Sequence, residues 1–267
     1  MVTHITSRRN ELLKETVRLV RSAEERRAQG LFVVEGARLC YDAFRSRIPV
    51  ERLFYVPQAE QKYSEYLHPL QKWAKEVFTL EPHAAELLSA TKTSQGVYAV
   101  CRLPALLPAE KAPVQGKYLA AENIQDPGNL GAMMRTGEAL GISGLFLLGK
   151  CCDPFSPKVL RAGMGAVFRL PLYEAPVFSE TASALHGQGF TTFAAVPDAS
   201  VEKVTQCDFP QGSVLLVGNE GNGLLPETIR ACSHRVTIPM AGRAESLNAA
   251  SSSAILMWEM MRKQGGI

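Results

Sequence analysis

The chain has 267 residues, of which 46% are hydrophobic and 21% are charged, and its formal net charge is +3. This composition is ordinary for a globular protein and supplies enough apolar side chains for a core that needs no cross-links. The slight excess of positive charge is compatible with a polyanionic partner but does not require one.

Signals for secretion, membrane insertion and metal binding are absent from the sequence. No basic segment followed by an apolar one opens the chain, and no apolar run reaches the roughly 18 residues of a membrane span. The six cysteines include no Cys-x-x-Cys pair and no cysteine–histidine spacing typical of zinc sites. We therefore expect a cytoplasmic protein with reduced thiols, without bound metal and without a membrane partner.

The apolar periodicity of residues 1–103 predicts a small α/β domain. Its predicted elements, in chain order, are a helix at about residues 10–28, a strand at Leu31–Val34, a helix carrying Leu39, Cys40, Ala43 and Phe44, a strand at Leu53–Val56, helices near 60–75 and 82–89, and a strand at Tyr98–Cys101.

Charged residues are concentrated around the first predicted helix. The basic residues there are Arg8, Arg9, Lys14, Arg18, Arg21, Arg26 and Arg27, and the acidic ones are Glu11, Glu15, Glu24 and Glu25. This pattern fits a solvated helix with ion pairs one turn apart, and it equally fits a surface for nucleic-acid phosphates. Composition alone leaves both interpretations open.

Three closely spaced prolines, Pro104, Pro108 and Pro113, separate two better-patterned regions. Proline fixes φ and lacks a backbone donor, so regular structure is not expected to run through this stretch. We predict a linker at residues 104–116 and a second domain at residues 117–267.

The second domain is predicted to contain a parallel sheet. Its apolar runs lie at Tyr118–Ala121, Gly144–Leu148, Thr191–Ala195, Val214–Val217 and Val236–Ile238. Continuously apolar strands that alternate with helices indicate a parallel sheet covered on both faces. Ligands of such sheets bind beyond the carboxyl ends of the strands, so the loops that follow these strands are the candidate site.

The first distinctive loop, residues 122–131, follows the first of these strands and leads into a helix. Asp126-Pro127-Gly128 is typical of a turn, and Asp126 or Asn129 is typical of a helix N-cap. Arg135 lies about a turn and a half into the helix, where a turn or a cap does not account for it. A guanidinium near a strand-end loop suits recognition of phosphate or carboxylate.

Two further loops follow later strands. The G-N-E-G-N-G segment at residues 218–223 is neither a P-loop nor a dinucleotide fingerprint, and its glycines fit close approach to a ligand or an ordinary turn. The loop at residues 238–248 enters a final helix that Ser246 or Asn248 would be suited to cap. Trp258 on that helix is interpreted as a core or interface residue.

Together the three loops resemble the three motifs of the SpoU (TrmH-like) family of RNA methyltransferases, in the SPOUT superfamily. The matching positions are Asn123, Asp126, Pro127, Asn129, Gly131 and Arg135, then Gly218, Glu220, Gly223 and Leu224, then Ile238, Pro239, Met240, Gly242, Ser246, Leu247 and Asn248. In the first domain, S-R-x-N followed by F-V-V-E-G resembles the substrate-binding domain of many members. Asn10-Glu11 departs from the Asn-Pro often found there.

The resemblance implies a deep trefoil knot in the second domain, a ribosomal-protein-like RNA-binding fold in the first, and a homodimer. It implies S-adenosylmethionine (SAM) as the cofactor. The implied cofactor-binding residues are Ala195, Val196, Pro197, Val217, Gly218, Asn219, Ile238, Met240, Ser246 and Leu247. The RNA-binding residues we expect are Arg8, Arg9, Lys14, Arg38 and Arg135.

The implied reaction is methylation of a ribose 2'-hydroxyl of RNA, with 23S ribosomal RNA as the expected substrate because a separate N-terminal domain is present. The implied catalytic residues are Asn129, Arg135, Glu220, Ser246 and Asn248. Arg135 is either a general base or a phosphate anchor, and its high pKa favours the anchor. A tRNA 2'-O-methyltransferase, an antibiotic-resistance methylase and a catalytically silent RNA-binding protein are the alternatives.

Overall fold

The computed structural model describes residues 2–91 and 93–262. The strands are β1 (Val2–Ile5), β2 (Leu31–Glu35), β3 (Val50–Tyr55), β4 (Glu76–Leu80), β5 (Val97–Arg102), β6 (Leu107–Pro108), β7 (Tyr118–Glu122), β8 (Gly144–Leu148), β9 (Leu172–Ala175), β10 (Thr191–Ala195), β11 (Glu202–Lys203), β12 (Ser213–Val217) and β13 (His234–Thr237). The helices are α1 (Glu11–Arg21), α2 (Ala23–Gln29), α3 (Ala37–Arg45), α4 (Pro57–Lys62), α5 (Ser64–Trp73), α6 (Pro82–Ala85), α7 (Pro127–Leu140), α8 (Pro157–Gly163), α9 (Phe178–Gly187), α10 (Pro226–Ala231) and α11 (Ala249–Arg262).

The described residues form two compact units. The first contains residues up to 105 together with residues 153–168, and the second contains residues 106–152 together with residues from 169 onward. No helix of the described part of the chain is both long and apolar enough to cross a membrane.

The first unit is built on a five-stranded sheet in the order β1-β4-β3-β5-β2. Strand β5 is antiparallel to both of its neighbours, and the other pairs are parallel. The sequence patterns did not predict β1 and β4, because both are half-exposed strands with little continuous apolar sequence. The α/β class predicted for this region is confirmed.

The predicted helix at residues 10–28 is wrong in one respect, because it is two helices that meet at Ser22. The backbone of Ser22 is extended, with φ −120°, and its hydroxyl accepts a hydrogen bond from Glu25 N as the N-cap of α2. Asn10 caps α1 in the same way, and Gly30 ends α2 in the left-handed conformation with φ 63°. Serine stabilises a helix more as its N-cap than at an interior position, and this explains the break at Ser22.

Residues 153–168 pack in the first unit through a buried ion pair and aromatic contacts. The Arg26 guanidinium is 4% exposed, lies 2.5 Å from the Asp153 carboxylate and also donates to the Leu19 carbonyl. The ring of Phe32 lies 5.1 Å from that of Phe155. Arg26 therefore belongs to the interior of this unit and not to the charged surface of the opening helices.

The second unit contains an eight-stranded sheet in the order β11-β13-β10-β12-β7-β8-β9-β6, and every pair in it is parallel. The predicted parallel sheet is thus confirmed. Within the proline-rich stretch, β6 joins the edge of this sheet, and Ala109 and Ala112 are buried in its core. The knot implied by the resemblance stays a prediction.

Candidate active site

Four neighbouring strands of the second unit end beside one another and bring the distinctive loops together. Strands β13, β10, β12 and β7 are adjacent in that order and run parallel. The three motif loops follow β7, β12 and β13, and Ala195–Pro197 lies at the end of β10. Because the carboxyl ends of parallel strands lie at one edge, these loops surround a common space.

That space is a cavity of about 340 Å³. All ten residues expected to bind the cofactor line it, namely Ala195, Val196, Pro197, Val217, Gly218, Asn219, Ile238, Met240, Ser246 and Leu247. Glu220 lines it as well, and Leu224, Ile229 and Leu256 add apolar walls. An apolar cavity with a few polar groups and backbone amides at its rim is typical of a small-molecule site.

Gly218 is placed where the backbone doubles back on itself. A Cβ atom at this position would lie 2.1 Å from both Gly223 C and Leu224 N. The loop closes through reciprocal backbone hydrogen bonds between Asn219 and Gly223, of 3.0 and 2.9 Å. Gly223 itself needs its positive φ of 68°. The glycines therefore form a tight hairpin that exposes backbone groups to the cavity.

Three of the expected catalytic side chains form one hydrogen-bonded chain. The Asn248 amide donates to Asn129 Oδ1 at 3.0 Å, and the Asn129 amide donates to Glu220 Oε1 at 2.7 Å. Each residue comes from a different motif loop, so the chain holds the three loops in register.

Because other residues cap the helices, the Asn129 side chain is available to hydrogen-bond with Glu220 and Asn248. Asp126 is the N-cap of α7 and accepts from Gly128 N at 2.6 Å, with Pro127 as the first helical residue. Asn248 Oδ1 accepts from Ala250 N at 2.9 Å at the start of α11. Of the alternatives left open by the sequence, Asp126 and Asn248 are thus the caps.

Arg135 and Ser246 stand apart from this hydrogen-bonded chain. Arg135 lies on an exposed face of α7, does not line the cavity, and makes no hydrogen bond or ion pair with the described residues. Ser246 is exposed and lines the cavity. All donors of the Arg135 guanidinium are therefore available to an external group.

Glu122, which the sequence did not single out, and the motif residue Asn123 hold the loops from behind. The carboxylate of Glu122, 2% exposed at the end of β7, accepts from Leu225 N at 2.8 Å and from the Thr228 hydroxyl. Asn123 has a left-handed backbone, with φ 54°, and its carbonyl accepts from the Asn219 amide at 2.9 Å. Only the position of Glu122 directly before the first motif hinted at this role.

We expect Glu122→Ala to weaken SAM binding about tenfold and to lower the free energy of unfolding by about 1–3 kcal/mol, because it leaves the buried Thr228 hydroxyl and the Leu225 amide without their acceptor. Glu122→Gln is the matched control, since its amide oxygen still accepts from Leu225 N. Titration with SAM and urea unfolding measure both effects. Equal losses in both variants would contradict an acceptor role for Glu122.

The thiol next to the first motif loop is protonated and structural. Burial raises the pKa of Cys151, and its Sγ donates to the Ala121 carbonyl at 3.2 Å. Within residues 2–91 and 93–262, no cluster of three or more His, Cys, Asp or Glu side chains is placed to hold a metal ion.

The expected RNA-binding residues of the first unit are all on its surface. Arg8, Arg9 and Arg38 are exposed. Lys14 is exposed too, but its ammonium lies 2.7 Å from Glu11, and this hydrogen bond lowers the pKa of that carboxyl. The opening helices thus combine internally paired charges with exposed arginines.

Comparisons with known proteins agree with this geometry. Residues 116–258 match the SpoU rRNA Methylase family, and residues 10–99 match the MRM3-like substrate binding domain. The chain is 30% identical to the 23S rRNA (uridine(2479)-2'-O)-methyltransferase of Streptomyces viridochromogenes, over 97% of the chain and 92% of that protein. It is 29% identical to the 23S rRNA (guanosine(2553)-2'-O)-methyltransferase RlmP of Bacillus subtilis, over 96% of the chain and 98% of that protein.

Among solved structures, the AdoMet-bound rRNA methyltransferase from Sinorhizobium meliloti matches with a TM-score of 0.87 and 30% identity, over 98% of both chains. The family match alone spans more than half of the 267 residues. The chain therefore belongs to the SpoU rRNA methylase family and is a SAM-dependent RNA methyltransferase.

Proposed function

We propose that this enzyme methylates a ribose 2'-hydroxyl of 23S ribosomal RNA at the cavity of the second unit. The observation that carries the proposal is the convergence of all three motif loops, joined through Asn129, on one cavity. Two relatives that resemble the chain over nearly its whole length are named 23S rRNA 2'-O-methyltransferases.

The cavity fits SAM in shape and chemistry. The Gly218 hairpin is a backbone cradle that any side chain would fill, and the backbone groups of Ile238, Met240 and Leu247 lie around the same space. The apolar walls suit the adenine ring of SAM. Glu220 also lines the cavity, and its carboxylate suits the positive charge of the sulfonium. When bound, SAM supplies an electrophilic methyl group.

The residues of the chain act mainly by positioning. A ribose hydroxyl is a poor nucleophile at neutral pH, so its alignment with the methyl carbon and sulfur supplies much of the rate. Asn129, Glu220 and Asn248 keep the loops in the aligned arrangement, and Ser246 completes the wall beside the hydroxyl. Arg135 anchors an RNA phosphate, because a guanidinium with a pKa above about 12 stays charged and offers paired donors.

We also propose that the active enzyme is a homodimer. The exposed positions of α11 follow one helical stripe, which contains Ile255 at 39% and Trp258 at 46% exposure. Helix α7 packs beside α11 and carries the exposed Arg135. A second copy covering this stripe would bury both apolar side chains.

We expect Trp258→Glu to convert the dimer to a monomer and to reduce methyl transfer at least about tenfold, because a charge would enter an apolar interface. Val177→Glu is the matched control, since Val177 is equally exposed, at 46%, elsewhere on the second unit. Light scattering coupled to size exclusion gives the mass. A monomeric wild-type protein with full activity would contradict the dimer.

Ribosomal RNA is preferred over tRNA because the chain carries a complete first unit that matches a substrate-binding domain. We place the reaction in the cytoplasm, where ribosomal RNA and SAM are both available. The hydrogen bonds that join Asn248 to Asn129 and Asn129 to Glu220 support an active enzyme over the catalytically silent RNA-binding protein that the sequence analysis left as an alternative.

The deciding experiment incubates this protein with tritiated SAM and with total RNA from a strain that lacks the gene, and it measures the methyl label transferred to each RNA. We expect label in large-subunit RNA, and nuclease digestion should place it on a ribose. Label in tRNA alone would overturn the substrate assignment. Absence of label with RNA still bound would favour the silent binding protein.

A further inference from the structure

A second cavity lies wholly within the first unit, apart from the SAM cavity. Its volume is about 520 Å³, which falls in the range of roughly 300–1,000 Å³ that is usual for small-molecule sites. It is bordered by α4, by α6 and by residues 89–91 and 94–96. Its polar lining includes the exposed carboxylate of Glu86, and the residues that would contact a ligand are Gln58, Lys62, Tyr63, Ser94, Gln95 and Tyr98.

The loop that forms one wall of this cavity is fixed from behind by a buried carboxylate. Glu35 accepts from the Ser89 hydroxyl at 2.9 Å, from Ala90 N at 2.9 Å and from the Thr91 hydroxyl at 2.8 Å. The side chain of Glu35 is 6% exposed, so these bonds hold the loop against the sheet. Residues 89–91 are therefore held in place before any ligand arrives, which lowers the entropic cost of binding.

The other end of the loop is fixed equally well. Ser94 and Tyr98 share a hydrogen bond of 2.6 Å, and Gln95 Oε1 accepts from Ala37 N at 2.8 Å. Gly96 has φ +68°, and a Cβ there would lie 2.4 Å from a methyl of Val56. Because the Gln95 oxygen is occupied at the start of α3, the Gln95 amide nitrogen remains a donor. Exposed Arg38 follows Ala37 directly.

The groups around the cavity suit a flat, neutral heterocycle that carries an anion beside it. Gln58, Ser94 and Gln95 offer hydrogen bonds without net charge. The half-buried Tyr63 ring lines the cavity, and the Lys62 ammonium lies over one face of that ring, 5.3 Å from its centre, so a base would stack on the opposite face. A nucleobase with its phosphate has this combination of features, and aromatic stacking with nearby cations is how proteins hold unpaired nucleotides.

We propose that this cavity binds one unpaired nucleotide of the RNA substrate, with its base against Tyr63 and its phosphate near Lys62. The proposal rests on the RNA methyltransferase function argued above and adds a specific recognition site in the first unit. It assigns residues 89–91 and 94–96 a role in choosing the RNA, whereas the SAM cavity performs the methyl transfer.

The test compares Tyr63→Leu, which removes the stacking face, with Tyr63→Phe, which keeps it. We expect Tyr63→Leu to raise the KM for RNA about tenfold and to leave the Kd for SAM and the unfolding midpoint unchanged, since stacking contributes about 1–3 kcal/mol per base. Tyr63→Phe should stay within about twofold of wild type. A purely structural tyrosine would shift the unfolding midpoint as well.

A second pair of variants tests the polar groups. The double variant Gln58→Ala/Lys62→Ala changes two exposed residues of the cavity, and Gln61→Ala/Lys72→Ala changes two exposed residues of the same unit that do not line it. Only the first should weaken binding of 23S rRNA fragments. Unchanged RNA affinity in both Tyr63→Leu and the cavity double variant would overturn the proposal.

Cross-linking separates this proposal from the proposed function. Fragments of 23S rRNA that contain 4-thiouridine, irradiated with the full-length protein, should cross-link to peptides that include residues 58–63 or 94–98. Cross-links to these peptides without any methyl transfer would support the nucleotide site and contradict the proposed function. Methyl transfer with cross-links only to other peptides would support the proposed function and contradict the nucleotide site.

Discussion

Gly218→Ala is expected to lower the affinity for SAM by at least about a hundredfold. The added methyl would lie 2.1 Å from two backbone atoms of the Gly223–Leu224 segment. Backbone atoms cannot rotate away as a side chain does, so the hairpin must open and the cavity must change shape. Isothermal titration with SAM measures the affinity, and methyl transfer should fall in parallel.

Gly221→Ala is the matched control, because it lies three residues away in the same loop. The nearest atom to its added Cβ would be 3.5 Å away, which is ordinary contact, and Gly221 has no positive φ. We expect SAM affinity within about threefold of wild type. If both variants bound SAM equally well, the close approach at Gly218 would have no part in forming the site.

Arg135→Ala is expected to reduce methyl transfer by about 10²–10³-fold while leaving SAM binding unchanged, as for the loss of one preorganised charged donor. The guanidinium lies outside the SAM cavity and makes no hydrogen bond or ion pair with the described residues. Loss of the guanidinium should therefore weaken only the binding of RNA and the stabilisation of the transition state. Single-turnover rates with saturating SAM measure the effect.

Two further variants define the role of Arg135. Arg135→Lys should recover only part of the rate, because a lysine keeps the charge but not the paired donors that match a phosphate. Arg45→Ala removes an exposed arginine of the first unit and should leave the rate near wild type. If Arg135→Lys had the wild-type rate, a positive charge alone would be sufficient, and this would contradict bidentate anchoring of the phosphate.

The sequence predicted five of the eight strands of the second unit and three of the five strands of the first. Strands β7, β8 and β12 are short, mainly apolar runs, because both faces of a parallel sheet are buried, and such runs are visible without any structure. The exposed two-residue strands β6 and β11 and the four-residue strand β9 were not predicted. Strands β1 and β4 lie at one side of the smaller sheet and are half-exposed, so their patterns resemble those of loops. The break at Ser22 was missed because a cap and a helical serine differ only in conformation.

The candidate site was predictable to the extent that its residues lie in the loops themselves. All ten expected cofactor residues line one cavity, because each lies at or beyond the carboxyl end of a strand and these ends lie at the same edge. The sequence did not predict the role of Glu122, because nothing in a single sequence distinguishes a buried glutamate at the end of a strand from the other residues of that strand. Its partners, Leu225 and Thr228, are about a hundred residues away.

The sequence by itself determined the parallel sheet and the order of the three loops, because apolar strands that end in loops are a local pattern. The residues expected around the SAM cavity came from the resemblance of those loops to the SpoU family. Only the tertiary structure decided that Arg26 is buried against Asp153, that residues 153–168 pack in the first unit, and that Glu35 fixes the wall of a second cavity. These depend on pairs of residues distant in sequence, and a pairing of that kind has no local signature in a single chain.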